Sequence, residues 1–480
     1  MLPAIHESRL ANGLTLIVVP RPGLPVVSLG LSARAGPEAD PPGRSGVAAM
    51  TAALLSKGAV RGGRPVSATQ LAQQAESLGG ALGGDSGWQT SGVSMSVTTP
   101  QAAAALGLLA DVMRRPLLAA AELERARTQS LDGLRVALGS PAEVAAMAAR
   151  HAFWGRTAHG AVTTQASLRR IARADVLAYH VRWYRPDNAL LVLAGDIDEA
   201  TARRLAQAAL GDWRAPAQAL PVASAQAPQA IDQTLLQVDL PGSGQSAVLV
   251  SAPYLASSSS EDLTGGRVGS VDSQSATSPA TPSTTEPPMS SATPWRIAQV
   301  ANAVLGGGYS ARLNQELRIR RGLSYGAFSQ AESQPGGGML TAQAQTRHGS
   351  AIEAMTLMRA EIARMTEQAP AADELAARQA SLIGSFARRL QTSGGLAAMV
   401  AGQWLARRPL ADLARYSEQV MAVSAEQVRD FARAHWRADR LRAVVVGDLT
   451  AIGAGWPDEP SLRWTVPQLD DALSAADAAR

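Results

Sequence analysis

The chain repeats part of itself. Residues Tyr184-Arg-Pro-Asp-Asn-Ala-Leu-Leu-Val-Leu-Ala-Gly-Asp-Ile-Asp198 match Trp436-Arg-Ala-Asp-Arg-Leu-Arg-Ala-Val-Val-Val-Gly-Asp-Leu-Thr450, at an offset of 436 − 184 = 252. The offset holds without a gap from Ile171/Val423 to Asp196/Asp448, pairing Val176 with Val428 and Tyr179 with Phe431. Further upstream it pairs Glu122-Leu123 with Glu374-Leu375. A repeat this long restricts the chain to two similar units, each well over a hundred residues. The length of 480 residues agrees, being too great for one domain of roughly 150. Each copy reads as a helix, a turn and a strand ending in Gly-Asp. Ala189 to Ala194 and Leu441 to Val446 are the strand-length Val/Leu runs, closed by a turn signal.

The remaining pattern mixes both element types. Leu14 to Val19, Val26 to Ser32, Leu235 to Leu240 and Ala247 to Ala252 are predicted strands. Ser91 to Thr98 alternates, with Val93, Met95 and Val97 on one face. Residues 101–112, 122–138, 143–153, 295–305, 350–366 and 371–390 have helical composition. The strand pair near the start of each half has hairpin spacing. The expected fold class is α+β: two homologous α/β halves, with mixed, largely antiparallel sheets flanked by helices. The expected division is 1–213 and 233–455 for the halves, 214–232 for an Ala/Pro/Gln-rich linker and 456–480 for a C-terminal tail. A Ser/Thr/Pro/Gly-rich stretch, 256–293, reads as a disordered surface insertion within the second half.

Composition narrows the chemistry. There are no cysteines, which excludes disulfides, thiolate metal sites and a thiol nucleophile. Six histidines remain for metal or base chemistry: His6, His151, His159, His180, His348 and His435. The net charge is +4, and aromatic residues make up 4%. No basic arm or stacking platform points to nucleic acid. No apolar run reaches membrane-spanning length, and the first residues lack a leader pattern. A soluble protein is expected, of the cytoplasm or of a bacterial-type periplasm with its leader absent or trimmed.

Two motifs draw attention. Gly84-Asp-Ser-Gly87 resembles the surroundings of a serine nucleophile, but no histidine signature precedes it to serve as base; a glycine-rich turn is the plainer reading. The informative segment is Leu305-Gly-Gly-Gly-Tyr-Ser-Ala-Arg-Leu-Asn-Gln-Glu-Leu-Arg-Ile-Arg-Arg-Gly-Leu-Ser-Tyr-Gly-Ala-Phe328. It reads as a helix stopping at a triple glycine, a short helix from about Ser310 to Arg320, and a strand from Leu323. Arg318 closes the short helix and Tyr325 begins the strand, with Gly322 permitting the turn. An arginine can grip a carbonyl, and a tyrosine hydroxyl can donate to a developing oxyanion. On spacing alone Arg318 also reads as a solvated helix end, and Tyr325 as a packed strand residue.

This segment resembles the C-terminal-half signature of the pitrilysin/insulinase family, the inverzincins. Leu10-Ala-Asn-Gly-Leu14, Arg34-Ala-Gly36, Lys57-Gly58 and the two Gly-Asp strand ends agree with it in order. The resemblance implies a zinc-peptidase clamshell of two related halves. In that family the first half carries H-x-x-E-H on a helix, and a more distant glutamate completes the zinc site. The second half, in the same chain or in a partner, supplies the Arg and the Tyr. Aligning on Lys57-Gly58 places Ala49 and Ala53 at the ligand positions and Ala52 at the base position. A methyl group neither coordinates zinc nor accepts a proton from water. The third-ligand region, Ser130 to Gly133, offers only Asp132. His151 and His159 flank Phe153-Trp-Gly155 and are open to a metal-pair reading, or to the structural one that a similar stretch has in the family.

The resemblance therefore implies the non-zinc subunit of a two-chain metallopeptidase acting on extended peptides. Arg318 and Tyr325 would serve substrate and transition state, this chain would bind no cofactor, and a homologous zinc-binding peptidase subunit would be the partner. The alternative is a non-catalytic structural or peptide-binding protein of the same fold.

Overall fold

The computed structural model describes residues 2–221, 225–257 and 292–480. The insertion expected at 256–293 lies almost wholly outside the described residues. Fourteen strands are described. The first half holds β1 (His6–Arg9), β2 (Thr15–Pro20), β3 (Val26–Ala33), β4 (Gly58–Arg61), β5 (Arg64–Ser67), β6 (Gly83–Ser86), β7 (Ser91–Thr98) and β8 (Ala189–Gly195). The second half holds β9 (Leu235–Asp239), β10 (Ser246–Tyr254), β11 (Ser324–Gln334), β12 (Gly337–Thr346), β13 (Arg442–Gly447) and β14 (Ser461–Thr465). They form two six-stranded sheets, ordered β1-β2-β8-β3-β7-β6 and β11-β12-β10-β13-β9-β14, with β4 and β5 as a separate hairpin. Read from opposite ends, the two orders correspond over five strands, β2-β8-β3-β7-β6 with β9-β13-β10-β12-β11. The fold is α+β, in two halves with mixed sheets flanked by helices.

The hairpins expected from the spacing of β2 and β3, and of β9 and β10, do not form. In each half the Gly-Asp strand inserts between them. β8 pairs parallel to β2 and antiparallel to β3, and β13 pairs parallel to β9 and antiparallel to β10. Burial explains the insertion. All seven residues of β8 are buried, with Leu191 and Leu193 in one core and Leu190 and Val192 in another. A strand apolar on both faces is stable only at the centre of a covered sheet. β7 differs: Val93, Met95 and Val97 are buried while Ser94 and Ser96 are exposed, so it suits a position nearer the edge.

Helices join the halves reciprocally. The Pro141–Trp154 helix of the first half packs on β10 and β13 of the second sheet, where Val144, Ala145 and Ala148 meet Leu236, Leu249 and Val444. The Ser393–Leu405 helix of the second half packs on β3 and β8, where Leu396, Met399 and Val400 meet Ile17, Leu190 and Val192. These two helices are themselves repeat mates, since 393 − 141 = 252. Polar contacts cross the same seam. The Arg34 guanidinium lies 3.6 Å over the Trp404 ring and donates to the Trp404 carbonyl at 2.6 Å. Gln89 Nε2 donates to Gln334 Oε1 at 2.9 Å.

Residues 456–480, set apart in the sequence as a tail, carry ordered structure. β14 adds to β9 in parallel, and the helix Val466–Ala478 buries Leu469 and Leu473 against the seam. The edge strand of the first sheet, β1, instead comes from the N-terminus and runs antiparallel to β2. This is the main departure from twofold likeness between the sheets.

Candidate functional site

The helix Val47–Leu55 carries the three alanines. Ala49 and Ala53 stand exposed one turn apart, and Ala52 is turned inward at 8% exposure. Gly46, in the left-handed region at φ 105°, starts the helix. The buried carboxylate of Asp40 accepts the first free N–H groups, from Gly46 at 2.6 Å and Ala48 at 2.8 Å. That carboxylate does at a helix N-terminus what a capping side chain does. Ala49 borders a cavity of about 430 Å³, together with Ser130 and Gly133 of the facing Ala120–Ala137 helix, Met147, Arg150 and Trp88. Asp132 does not line it; the carboxylate turns to solvent and pairs with Arg135 at 2.7 Å. The facing positions thus present methyl, hydroxyl and hydrogen. These residues do not fit a zinc ion, and among the described residues no three His, Cys, Asp or Glu side chains converge as metal ligands.

His151 and His159 are buried separately, each in an aromatic setting. His159 Nδ1 accepts the Trp88 indole N–H at 3.0 Å, and its ring lies 4.8 Å from that of Trp154. Burial lowers the His159 pKa to about 4. The His151 ring faces Trp464 at 6.0 Å, and burial lowers its pKa too. On the edge strand β6, the Ser86 hydroxyl pairs with that of Ser91 at 3.2 Å.

Two acids, the half-buried Glu38 and the buried Asp40, precede the Val47–Leu55 helix. Burial pushes Glu38 up to about 7, against Arg407 and Arg34. Burial likewise pushes Asp40 up to about 7, against its two backbone N–H bonds and Arg480. Both groups hold a proton more tightly folded than unfolded. Their stabilising effect is complete below the ordinary carboxylate pKa of about 4 and is lost as pH rises through about 7. The depressed His159 acts in the opposite sense, but only below its unfolded pKa of about 6.5. The thermal midpoint should therefore fall between about pH 6.5 and about pH 8. Asp40→Asn should flatten that slope in a calorimetric pH series, and an unchanged slope would contradict the assignment.

In the second half the sequence order holds, with one change of geometry. The Pro294–Leu305 helix ends at Gly306, where an added Cβ would lie 2.3 Å from the Ser329 backbone nitrogen. The predicted short helix starts later, at Arg312, and widens into a π-helical turn over Gln315–Arg320. Such a turn places side chains off the α-helical register. Its neighbours are engaged: Arg312 with Glu374 at 2.8 Å, and Arg320 and Arg321 with Glu316 at 3.0 and 2.7 Å. Arg318 is exposed and makes no ion pair among the described residues; its guanidinium lies 4.9 Å from the Tyr309 ring.

Tyr325 sits on a bulge. β11 pairs with β12 at Ser324↔Thr346 and next at Ala327↔Ala344, with the register shifted between them. Two residues of β11 therefore oppose one of β12, and such a bulge re-aims the side chains it carries. Ser324 Oγ steadies it, accepting the Gly326 N–H at 3.1 Å. Tyr325 is 87% exposed, not packed as the plainer reading would have it. Asn314 ties the two elements together, donating to Tyr309 O at 2.6 Å and accepting the Ala327 N–H at 3.1 Å. Neither Tyr309 nor Asn314 was marked by the sequence; an asparagine inside a short helix is the one local signal that points to such a clamp. Arg318 and Tyr325 thus occupy adjoining elements at the free edge of the second sheet, while the three alanines lie in the other half.

A family model described as the peptidase M16 inactive domain matches residues 170–265 and 285–382. An uncharacterized zinc protease of Streptomyces coelicolor is 21% identical over 399 residues, covering 82% of this chain and 78% of the relative. A non-peptidase homologue of Helicobacter pylori is 20% identical over 428 residues, covering 88% and 90%. The crystal structure of a peptidase M16 inactive domain from Pseudomonas fluorescens superposes with a TM-score of 0.78 at 21% identity, covering 92% of this chain and 98% of that one.

Proposed function

Since the chain belongs to the pitrilysin (M16) peptidase family, we propose that it is the zinc-lacking subunit of a two-chain metallopeptidase. In this reading a homologous partner carries zinc and the water-activating glutamate. This chain lends Arg318, which grips a backbone carbonyl of an extended peptide, and Tyr325, whose hydroxyl donates to the oxyanion of the tetrahedral intermediate. The peptide lies along a free sheet edge as an added strand. The observation that carries the reading is Tyr325, set out at 87% exposure by a bulge next to a short helix whose Arg318 has no ion pair among the described residues. A large aromatic held out of every core has no evident part in the chain's own packing. The face of Ala49 and Ala53 supports the other half of the proposal, because its shape suits a ligand helix and its chemistry does not.

The second reading, a non-catalytic structural or peptide-binding role, draws support from the Helicobacter pylori relative, whose name describes a non-peptidase. One preparation separates the two. Purified alone, the chain should retain no stoichiometric zinc by atomic absorption and cleave no peptide. Mixed with a homologue bearing H-x-x-E-H, it should raise cleavage well above that of the homologue alone. Zinc or cleavage from the lone chain would reject both readings, and an inert mixture would favour the second.

A further inference from the structure

The two halves differ in what covers one groove. In the first half it lies between the Ala102–Arg114 helix, the end of the Arg173–Trp183 helix and the start of β2. The chain's own continuation fills it. The Glu199–Leu210 helix packs on the Ala102–Arg114 helix and on β2, and Asn12 Nδ2 donates to Leu210 O and Trp213 O at 2.7 and 3.0 Å. Beyond them an alanine- and proline-rich segment lies against Arg185. That guanidinium donates to Gln218 O at 2.7 Å and Pro216 O at 3.4 Å, while pairing with Asp187 at 2.6 Å.

The offset of 252 carries Arg185 and Asp187 to Arg437 and Asp439, which pair in the same way at 3.0 and 3.2 Å. Here the helix after the Gly-Asp strand stops after four residues, Leu449–Ile452, and the chain turns back to form β14. Among the described residues nothing takes the place of the covering segment. What remains is a groove of about 590 Å³ beside the Ala351–Glu367 and Ala425–His435 helices. The arginine side chain is 5% exposed in the first half and 58% exposed in the second. Trp436, repeat mate of Tyr184, lines the groove, and its buried indole N–H meets no acceptor among the described residues. Three arginines in the lining, 359, 433 and 437, are offset by Glu367, Glu459 and the nearby Asp439, so the groove has no charge excess to select an anion.

We propose that this groove docks an extended, uncharged, alanine- and proline-rich peptide segment of another chain. Arg437 takes its backbone carbonyls, as Arg185 does in the first half, and Ala360, Ala363 and Leu441 receive its small side chains. The occupant is read from the twin groove, where the Pro216 and Gln218 carbonyls of the uncharged stretch 215–221 accept from Arg185. The inference is independent of the peptidase proposal.

The probe is a labelled synthetic peptide with the sequence of residues 215–221, Ala-Pro-Ala-Gln-Ala-Leu-Pro, its termini blocked, titrated into the full chain by fluorescence anisotropy. Saturable one-to-one binding is expected, weakened about tenfold or more by Arg437→Ala, as loss of a charged hydrogen-bond donor implies. Because Arg437 is exposed, that variant should keep its thermal midpoint. Addition of peptide should also slow amide exchange across residues 433–438. Absence of saturable binding, binding indifferent to Arg437→Ala, or displacement by inorganic phosphate would each overturn the proposal. So would a concentration-dependent dimer that Arg437→Ala abolishes, which would assign the groove to a second copy.

Discussion

Tyr325→Phe should lower the turnover of the reconstituted two-chain enzyme by about a hundredfold or more, the usual loss when one oxyanion donor is removed. The change deletes a single hydroxyl. Because the ring is 87% exposed and packs in no core, stability and assembly should be unaffected. Zinc content should not move either, since Tyr325 is not among the zinc-binding residues of the proposed partner and no metal-ligand cluster forms among the described residues. The loss should fall on kcat with KM nearly constant, because a hydrogen bond that forms only as charge develops is absent from the ground state. Arg318→Ala should behave differently, raising KM as well, because a carbonyl is gripped before reaction as well as during it. A Tyr325→Phe pair as fast as the parent would remove the catalytic assignment and leave the non-catalytic reading.

Gly195→Val should be the most damaging single substitution in the first sheet, costing about 4 kcal/mol or more. Gly195 adopts φ +136°, and an added Cβ would lie 2.1 Å from the Val26 carbonyl oxygen and 3.0 Å from the Val27 Cα. Both neighbours are backbone of β3, which pairs with β8 at this very register. No side-chain motion relieves the clash, so the central strand must separate from its neighbour. For a cooperative unit the size of one half, that corresponds to a fall of about 10 °C in its unfolding midpoint. Gly447, the repeat mate, provides the internal control. A Cβ there would clash with the Ser246 hydroxyl, which can rotate away, and would sit tightly at 3.0 Å from the Ser246 Cβ and 3.2 Å from His348 Nδ1, with no backbone atom among these neighbours. Gly447→Ala should therefore cost about 1–2 kcal/mol. Equal losses at the two sites would show that the clash with fixed backbone is not the cause.

Much of the fold was legible because it is local. Strand Ser91–Thr98 was predicted from alternation and occurs with those bounds. The predicted helix 122–138 is found at Ala120–Ala137, and its mate 371–390 at Ala372–Arg389. Strand order was not legible. Spacing suggested that β2 and β3 form a hairpin, yet a strand some 160 residues away, at Ala189–Gly195, separates them. Its full burial on both faces is the physical cause, and a run of apolar residues states that burial without naming its neighbours. The candidate site divides in the same way. The alanines at 49, 52 and 53 could be placed by alignment on Lys57-Gly58, but the exposure of Tyr325 depends on a bulge, which no residue pattern in Ser324-Tyr-Gly-Ala327 announces.

By itself the sequence determined that there are two related halves, that no thiol is available, and that Ala49, Ala52 and Ala53 carry only methyl groups within one helical stretch. Side-chain chemistry and periodicity suffice for such statements, because they concern which atoms exist and which face they share. Only the tertiary structure decided that each half lends a helix to the other's sheet. It alone turned Asp132 away from the cavity and, among the described residues, left one of two equivalent grooves uncovered. These outcomes rest on contacts between residues far apart in the chain, where burial of apolar surface selects among arrangements that local pattern leaves equally good.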